Sequence, residues 1–120
     1  MPQNEKRRVR VIELCSSLPE VEVRDLNHIA FLVRKRTFAY YLYDHHGDGR
    51  VSLCVKTSGE EHRDLIQLTP NRFFLPPYIG KRGWVGLFLD LETVDWREAS
   101  DLVLGSYRLI APKRVALLAQ

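Results

Sequence analysis

Residues 37–56 read TFAYYLYDHHGDGRVSLCVK. Two runs rich in aromatic and β-branched residues, Thr37–Tyr43 and Val51–Lys56, flank His45–Arg50, which carries the pair Asp48-Gly49. Asp-Gly between alternating apolar residues marks a tight β-hairpin, because glycine and aspartate tolerate the left-handed backbone that such turns demand. In the first run Phe38, Tyr40 and Leu42 fall on one face, and Ala39, Tyr41 and Tyr43 on the other. In the second, Val51, Leu53 and Val55 alternate with Ser52, Cys54 and Lys56. That is the pattern of a strand with one buried and one wet face.

Working outward from this hairpin, Ile29–Val33 is an apolar run that meets the triplet Arg34-Lys35-Arg36. Strands over 29–33 and 37–43 are therefore expected to join at a basic tip, with Val21–Asn27 a further extended segment. From Val9 to Leu18, Val11, Leu14, Cys15 and Leu18 recur at helical spacing, and Pro19 ends the helix. Downstream, Ser58 and Glu61 have the spacing of a capping box and open a helix to Leu68, with Leu65 and Ile66 facing inward and Pro70 closing it. Residues 70–83 (PNRFFLPPYIGKRG) form a connection dense in proline and glycine, and Trp84–Asp90 reads as a strand. Asp95 and Glu98 repeat the capping spacing ahead of a helix whose inner face carries Trp96, Ala99, Val103 and Tyr107. Pro112 suits the first turn of a short terminal helix over Pro112–Ala119. Sequential strands with short links predict an α+β fold: a two-layer sandwich in which an antiparallel sheet carries helices on one face.

The 120 residues amount to a single domain spanning 1–120, with 45% hydrophobic and 28% charged residues, so a core is affordable and disorder is not expected. The longest apolar run, Phe38–Tyr43, falls far short of the roughly 20 residues that span a bilayer, and the basic start MPQNEKRRVR is not followed by a secretory apolar stretch. A soluble protein of the cytoplasm is the expectation. Eighteen Lys and Arg against fifteen Asp and Glu leave +3. Both halves share that excess, so any attraction for a polyanion must come from local clusters rather than from a basic tail.

Cys15 and Cys54 lack the paired Cys/His spacing of a structural zinc site. Two free thiols are the expected state, with one disulfide the alternative. His45 and His46 beside Asp44 and Asp48 invite a metal reading, but adjacent histidines point apart and the turn already accounts for Asp48 and Gly49. No metal and no cofactor is expected. None of the nucleophile-elbow, phosphate-loop, dinucleotide or HExxH motifs occurs, and Cys54 with His28 or His62 is only a formal Cys/His pair. The chain reads as a non-enzyme.

Basic residues cluster three times: Arg34, Lys35 and Arg36 at the hairpin tip, Lys81 and Arg82 between Gly80 and Gly83, and Lys113 and Arg114 after Arg108. Arg72 adds a further cation in the proline-rich connection. Exposed Lys and Arg on turns are suited to phosphate oxygens, which Arg engages bidentately. Gathered on one surface, these residues would make a binding site for nucleic acid. Phe73, Phe74, Tyr78 and Trp84 interleave with the charges. They could stack on bases, but the expected role of Phe73, Phe74 and Trp84 is to anchor the connection to the sheet. Pro76-Pro77-Tyr78 would be a rigid corner with room for a cis bond.

The stretch Pro76-Pro77-Tyr78-Ile79-Gly80-Lys81-Arg82-Gly83-Trp84-Val85-Gly86 resembles the YjbR/MmcQ family of small bacterial proteins. So do Leu18-Pro19-Glu20-Val21, the strand segment Ala30–Phe38, Asp95-Trp96, and the tail Ser106–Arg114 (SYRLIAPKR), which together extend the likeness over about residues 8–118. The segment Glu22–His28 departs from the family's pattern. The resemblance implies a fold similar to the bacterial frataxin homologue and the type III secretion chaperones, and DNA binding by a double-wing arrangement of hairpins beside helices. It does not bring frataxin's acidic ridge, since the first helix offers only Glu5 and Glu13. The expected function is DNA binding through basic hairpin and loop tips, the alternative a chaperone-like protein-interaction module that uses a sheet edge or the aromatic loop.

Overall fold

The computed structural model describes residues 3–44 and 47–119. Helix α1 (Gln3–Ser16) leads into strands β1 (Val21–Asp25), β2 (Ile29–Val33), β3 (Arg36–Tyr43) and β4 (Val51–Lys56). Then come α2 (Gly59–Leu68), the two-residue β5 (Phe73–Phe74), a 3-10 turn at Gly80–Arg82, β6 (Trp84–Phe88), α3 (Trp96–Ile110) and the single turn α4 (Lys113–Ala116). All neighbouring strands are antiparallel in one sheet of order β1-β2-β3-β4-β6-β5. The fold is α+β, with one sheet face joined to the helices by a core of Phe31, Val33, Tyr41, Leu53, Val85 and Leu87 with Val11, Val103, Tyr107 and Val115. Among the described residues, no helix is long and apolar enough to cross a membrane.

Several local expectations are corrected. Helix α1 begins at Gln3 rather than Val9. Its basic first turns consist of good helix formers, and they find tertiary partners: Arg7 donates to Leu91 O at 3.3 Å and Arg8 pairs with Asp25. Ser58 occupies the N-cap of α2 with extended backbone, but its side chain makes no capping bond. Asp95 does cap α3, accepting from Arg97 N and Glu98 N at 3.1 Å, whereas the Glu98 carboxylate turns to Arg72 instead of reaching back. No described peptide bond is cis, and the Pro76-Pro77 corner turns through Tyr78 at φ +69.

The alternation in β3 breaks at Phe38. The register jumps from Phe31↔Ala39 to Leu32↔Thr37, leaving Phe38 as the extra residue of a β-bulge. Phe38 thereby joins Ala39 and Tyr41 on the helix face, where its ring meets Tyr107 edge-on at 5.3 Å. The bulge spares a backbone carbonyl from the ladder, and Ser106 takes it: its hydroxyl donates to Phe38 O at 2.6 Å and accepts from Lys56 N at 2.9 Å. Tyr107 OH donates to Pro19 O at 2.6 Å, tying the end of α3 to the link between α1 and β1.

Strand β4 has no wet face. Ser52 and Cys54 are buried as fully as Val51 and Leu53. The connection between β5 and β6 folds across the back of the sheet, where Leu42, Cys54 and Trp84 are packed by Tyr40, Phe74 and Ile79. Cys15 sits in the main core and Cys54 in this second cluster, so the sheet separates the two free thiols.

Replacing Ser106 with Ala strands two buried backbone groups, an expected loss of about 2–3 kcal/mol that a denaturant titration measures. Asp90 supplies the pH counterpart. It receives Arg50 Nε at 2.8 Å, Arg50 Nη2 at 3.0 Å and Val51 N at 3.0 Å, bonds that hold its carboxyl below the usual aspartate range. A depressed folded value means this support is complete above the unfolded value near pH 4 and fades as pH falls through the folded one. Stability should decline below about pH 4, and Asp90→Asn should flatten that decline in a series of thermal melts at stepped pH.

Candidate nucleic-acid interface

Antiparallel registers fix which chain segments meet at each end of the sheet. Val33 pairs with Arg36, so Arg34 and Lys35 form a two-residue turn at one end of β2 and β3. Ala39 pairs with Val55, which brings the Lys56 end of β4 to that same end. Lys56 pairs with Trp84, so Gly80–Arg82, just ahead of β6, arrives there too. The close of α3 joins them, since Arg36 Nη1 donates to Ile110 O at 3.2 Å. Two inter-strand spacings, about 10 Å, separate the start of β3 from the start of β6. That is close to the screening length at physiological salt, so the fields of neighbouring clusters overlap.

Arg34, Lys35, Arg36, Lys81, Arg82, Arg108, Lys113 and Arg114 thus share one end of the molecule, and Lys56 lies with them. The sequence reading missed Lys56, and the usable signal was its place as the last residue of a strand. Arg72 is not part of this group. It precedes β5, bonds Phe88 N through its carbonyl at the opposite end, and its side chain pairs with Glu98.

The cations differ in what already holds them. Arg34 grips Glu20 through Nε at 2.7 Å and Nη2 at 3.2 Å, which keeps that carboxyl below its ordinary value. Arg36 spends one guanidinium nitrogen on the end of α3, and Arg108 donates to Ala119 O at 3.3 Å. Lys35, Lys81, Arg82, Lys113 and Arg114 are exposed, and their side chains make no ion pair or hydrogen bond to the other described residues. Glu13, Glu20, Glu60 and Glu61 lie toward the same end, while Asp25, Asp44, Asp48, Asp90 and Asp95 lie toward the other. At that far end Arg8, Arg50 and Arg72 pair with Asp25, Asp90 and Glu98.

Local backbone geometry presents the tips. Arg34 and Lys35 both have positive φ, +49 and +66, the left-handed turn that keeps a two-residue hairpin in twist with its strands. Neither is Gly or Asn, so the turn carries strain. Lys81 and Arg82 stand on the 3-10 turn that Gly83 ends at φ +90. A Cβ at Gly86 would come within 2.3 Å of the Phe74 ring, which lies over β6 and stacks on Phe88 at 4.7 Å. Phe73, Phe74 and Trp84 anchor the connection, as expected; Tyr78 does not, being 90% exposed.

The remaining candidate chemistry is also placed. Burial pushes the Cys54 thiol up to about 12 and Cys15 higher still, the reverse of what a nucleophile needs. His62 Nε2 contacts Trp84 O at 2.8 Å. His45 and His46 lie outside the described residues. Asp44 and Asp48 accept from the backbone of Gly49 and Arg50 at 2.6 and 2.9 Å.

A family model described as YjbR matches residues 16–109. The chain belongs to the YjbR family. No curated protein matches it. The crystal structure of Deinococcus radiodurans protein DR2400, described as a DUF419 domain, is similar at 26% identity and a TM-score of 0.68, over 82% of this chain and 74% of that one. In this YjbR chain, the segments that carried the resemblance are largely architectural. Gly83 and Gly86 permit the turn and the ring contact, and Ser106 and Tyr107 satisfy Phe38 O and Pro19 O. What they position is the cations between and beside them.

Lys35→Gly puts glycine at the second turn position, where two-residue hairpins favour it, and keeps the Arg34–Glu20 pair. This variant should unfold at higher denaturant, gaining about 1 kcal/mol through relief of one left-handed non-glycine residue.

Proposed function

We propose that this YjbR protein binds nucleic acid, DNA above all, through its basic end, and that it does so without catalysing a reaction. The observation that carries the reading is the gathering of three sequence-distant basic clusters at one end of the sheet. Cations left unpartnered, on turns that hold their backbone outward, can replace the counterions of a phosphate backbone. The strained Arg34-Lys35 tip fits the same role, since a strained turn persists where its side chains are needed. Little base reading is implied, because the contacts are Lys and Arg rather than a helix or ribbon fitted to a groove. Two free thiols suit the cytoplasm, the compartment where such a protein meets nucleic acid.

A second reading draws on the back of the sheet. Tyr78 at 90% exposure and Leu75 at 51% stand on the connection beside Pro76 and Pro77, as a protein-interaction module would require. Such an interface would be only weakly sensitive to salt, which separates the two proposals.

Fluorescence anisotropy with a labelled duplex and a labelled single strand, over a range of salt, makes the test. The logarithm of the association constant should fall linearly with the logarithm of salt concentration, by about 0.9 per phosphate engaged. Lys81→Ala with Arg82→Ala should reduce that slope by about 2, and Arg72→Ala at the far end should leave it unchanged. Undetectable or salt-insensitive binding to both probes would refute the proposal.

A further inference from the structure

Strand β1 forms one edge of the sheet, paired only with β2, and Glu22, Val23, Arg24 and Asp25 along it are exposed. Which of its backbone groups face outward follows from the turn that leads to β2. Leu26 N donates to His28 O at 3.0 Å, in the same register that pairs Arg24 with Ala30 and Glu22 with Leu32. Antiparallel strands alternate bonded and non-bonded pairs, so Arg24 and Glu22 spend their N–H and C=O groups on β2. Val21, Val23 and Asp25 point theirs outward, where no described element covers them.

We propose that this edge pairs with the β1 edge of a second copy of the chain, antiparallel and centred on Val23. A twofold axis at Val23 sets Val23 against the partner's Val23, Glu22 against the partner's Arg24, and Arg24 against the partner's Glu22. Both charged pairs lie on the back face, opposite to the face that carries Val21 and Val23 toward the helices. Within one chain Arg24 Nε already reaches Glu22 Oε2 at 2.7 Å, so the two side chains stand together and the dimer builds an alternating group of four charges. Val23, 39% exposed, loses its exposure against its own image.

The charges also exclude the neighbouring registers. The outward backbone groups pair whenever the twofold lies on a residue, and centring it on Glu22 or Arg24 sets that charge against its own image. Centring on Asp25 puts Asp25 against the partner's Asp25, and centring on Val21 puts Glu22 against the partner's Glu20. Like charges directly opposite are destabilising, so only the Val23 register has complementary pairs and no clash. Edge strands are usually defended by charges that repel a second edge. The sequence Glu22-Val23-Arg24 is instead self-complementary about its centre, as an isologous interface requires. The dimer joins two six-stranded sheets into one and leaves the basic end of each copy uncovered.

Sedimentation equilibrium of the full chain tests this. Wild-type protein should show a concentration-dependent rise from the 14.0 kDa chain mass toward twice that value. Arg24→Glu sets carboxylates against each other and should weaken association at least tenfold. Glu22→Arg combined with Arg24→Glu restores complementarity and should bring the dimer back. Val23→Pro removes only an outward N–H, so it should keep the wild-type circular dichroism spectrum and remain monomeric. A wild-type mass that stays at one chain at every soluble concentration overturns the proposal, as does a folded Arg24→Glu variant that associates as tightly as wild type, or a double variant that stays monomeric.

Discussion

The hydroxyl of Ser106 is the joint on which the two layers meet. The bulge at Phe38 turns a large ring toward the helices at the cost of a backbone carbonyl that the sheet no longer satisfies. One side chain from α3 receives that carbonyl and, at the same time, the N–H of Lys56 on the adjacent strand. A buried polar group left unpaired costs a large share of a small domain's stability, so α3 has essentially one position along the sheet. Tyr107, the next residue, then finds both the Phe38 ring and the Pro19 carbonyl. From this docking follow the place where α3 ends, the carbonyl that Arg36 meets, and the direction in which Lys113 and Arg114 leave.

The basic clusters gather at one end of the strand axis. Hairpin connections explain why. An antiparallel sheet returns every second connection to the same end, so clusters far apart in sequence become neighbours when each sits at a connection of the same parity. Arg34-Lys35, the approach to β6, and the close of α3 share that parity, whereas Arg72 and Arg50 have the other. A modest net charge of +3 is compatible with one basic end, because at the opposite one Asp25, Asp90 and Glu98 are matched by Arg8, Arg50 and Arg72.

The proline-rich connection gives the sheet a second covered face. Phe74, Ile79 and Trp84 close over Tyr40, Leu42 and Cys54, so the sheet has apolar contacts on both sides although helices occupy only one. Glycine at 86 is required for this, since the Phe74 ring occupies the space of a side chain there. The same connection delivers Lys81 and Arg82 on a tight turn, which couples the packing of the back face to the display of the basic end.

The elements themselves were legible in local pattern. The pairing of β3 with β4, helical spacing in α3 and the Asp95 cap depend on neighbours within a few residues and appear where their signals lie, although a longer loop closed by Asp44 N on Arg50 O replaces the tight Asp48-Gly49 turn. The basic tip at Arg34-Lys35 was legible for the same reason. Tertiary structure alone decided the bulge that turns Phe38, the burial of Ser52 and Cys54, and the separation of Arg72 from the other cations. Each of those outcomes depends on a segment distant in sequence: α3 beneath the bulge, the connection over the back of the sheet, Glu98 beside Arg72. Periodicity records which side chains prefer to be dry, but it carries no record of what will arrive to cover them.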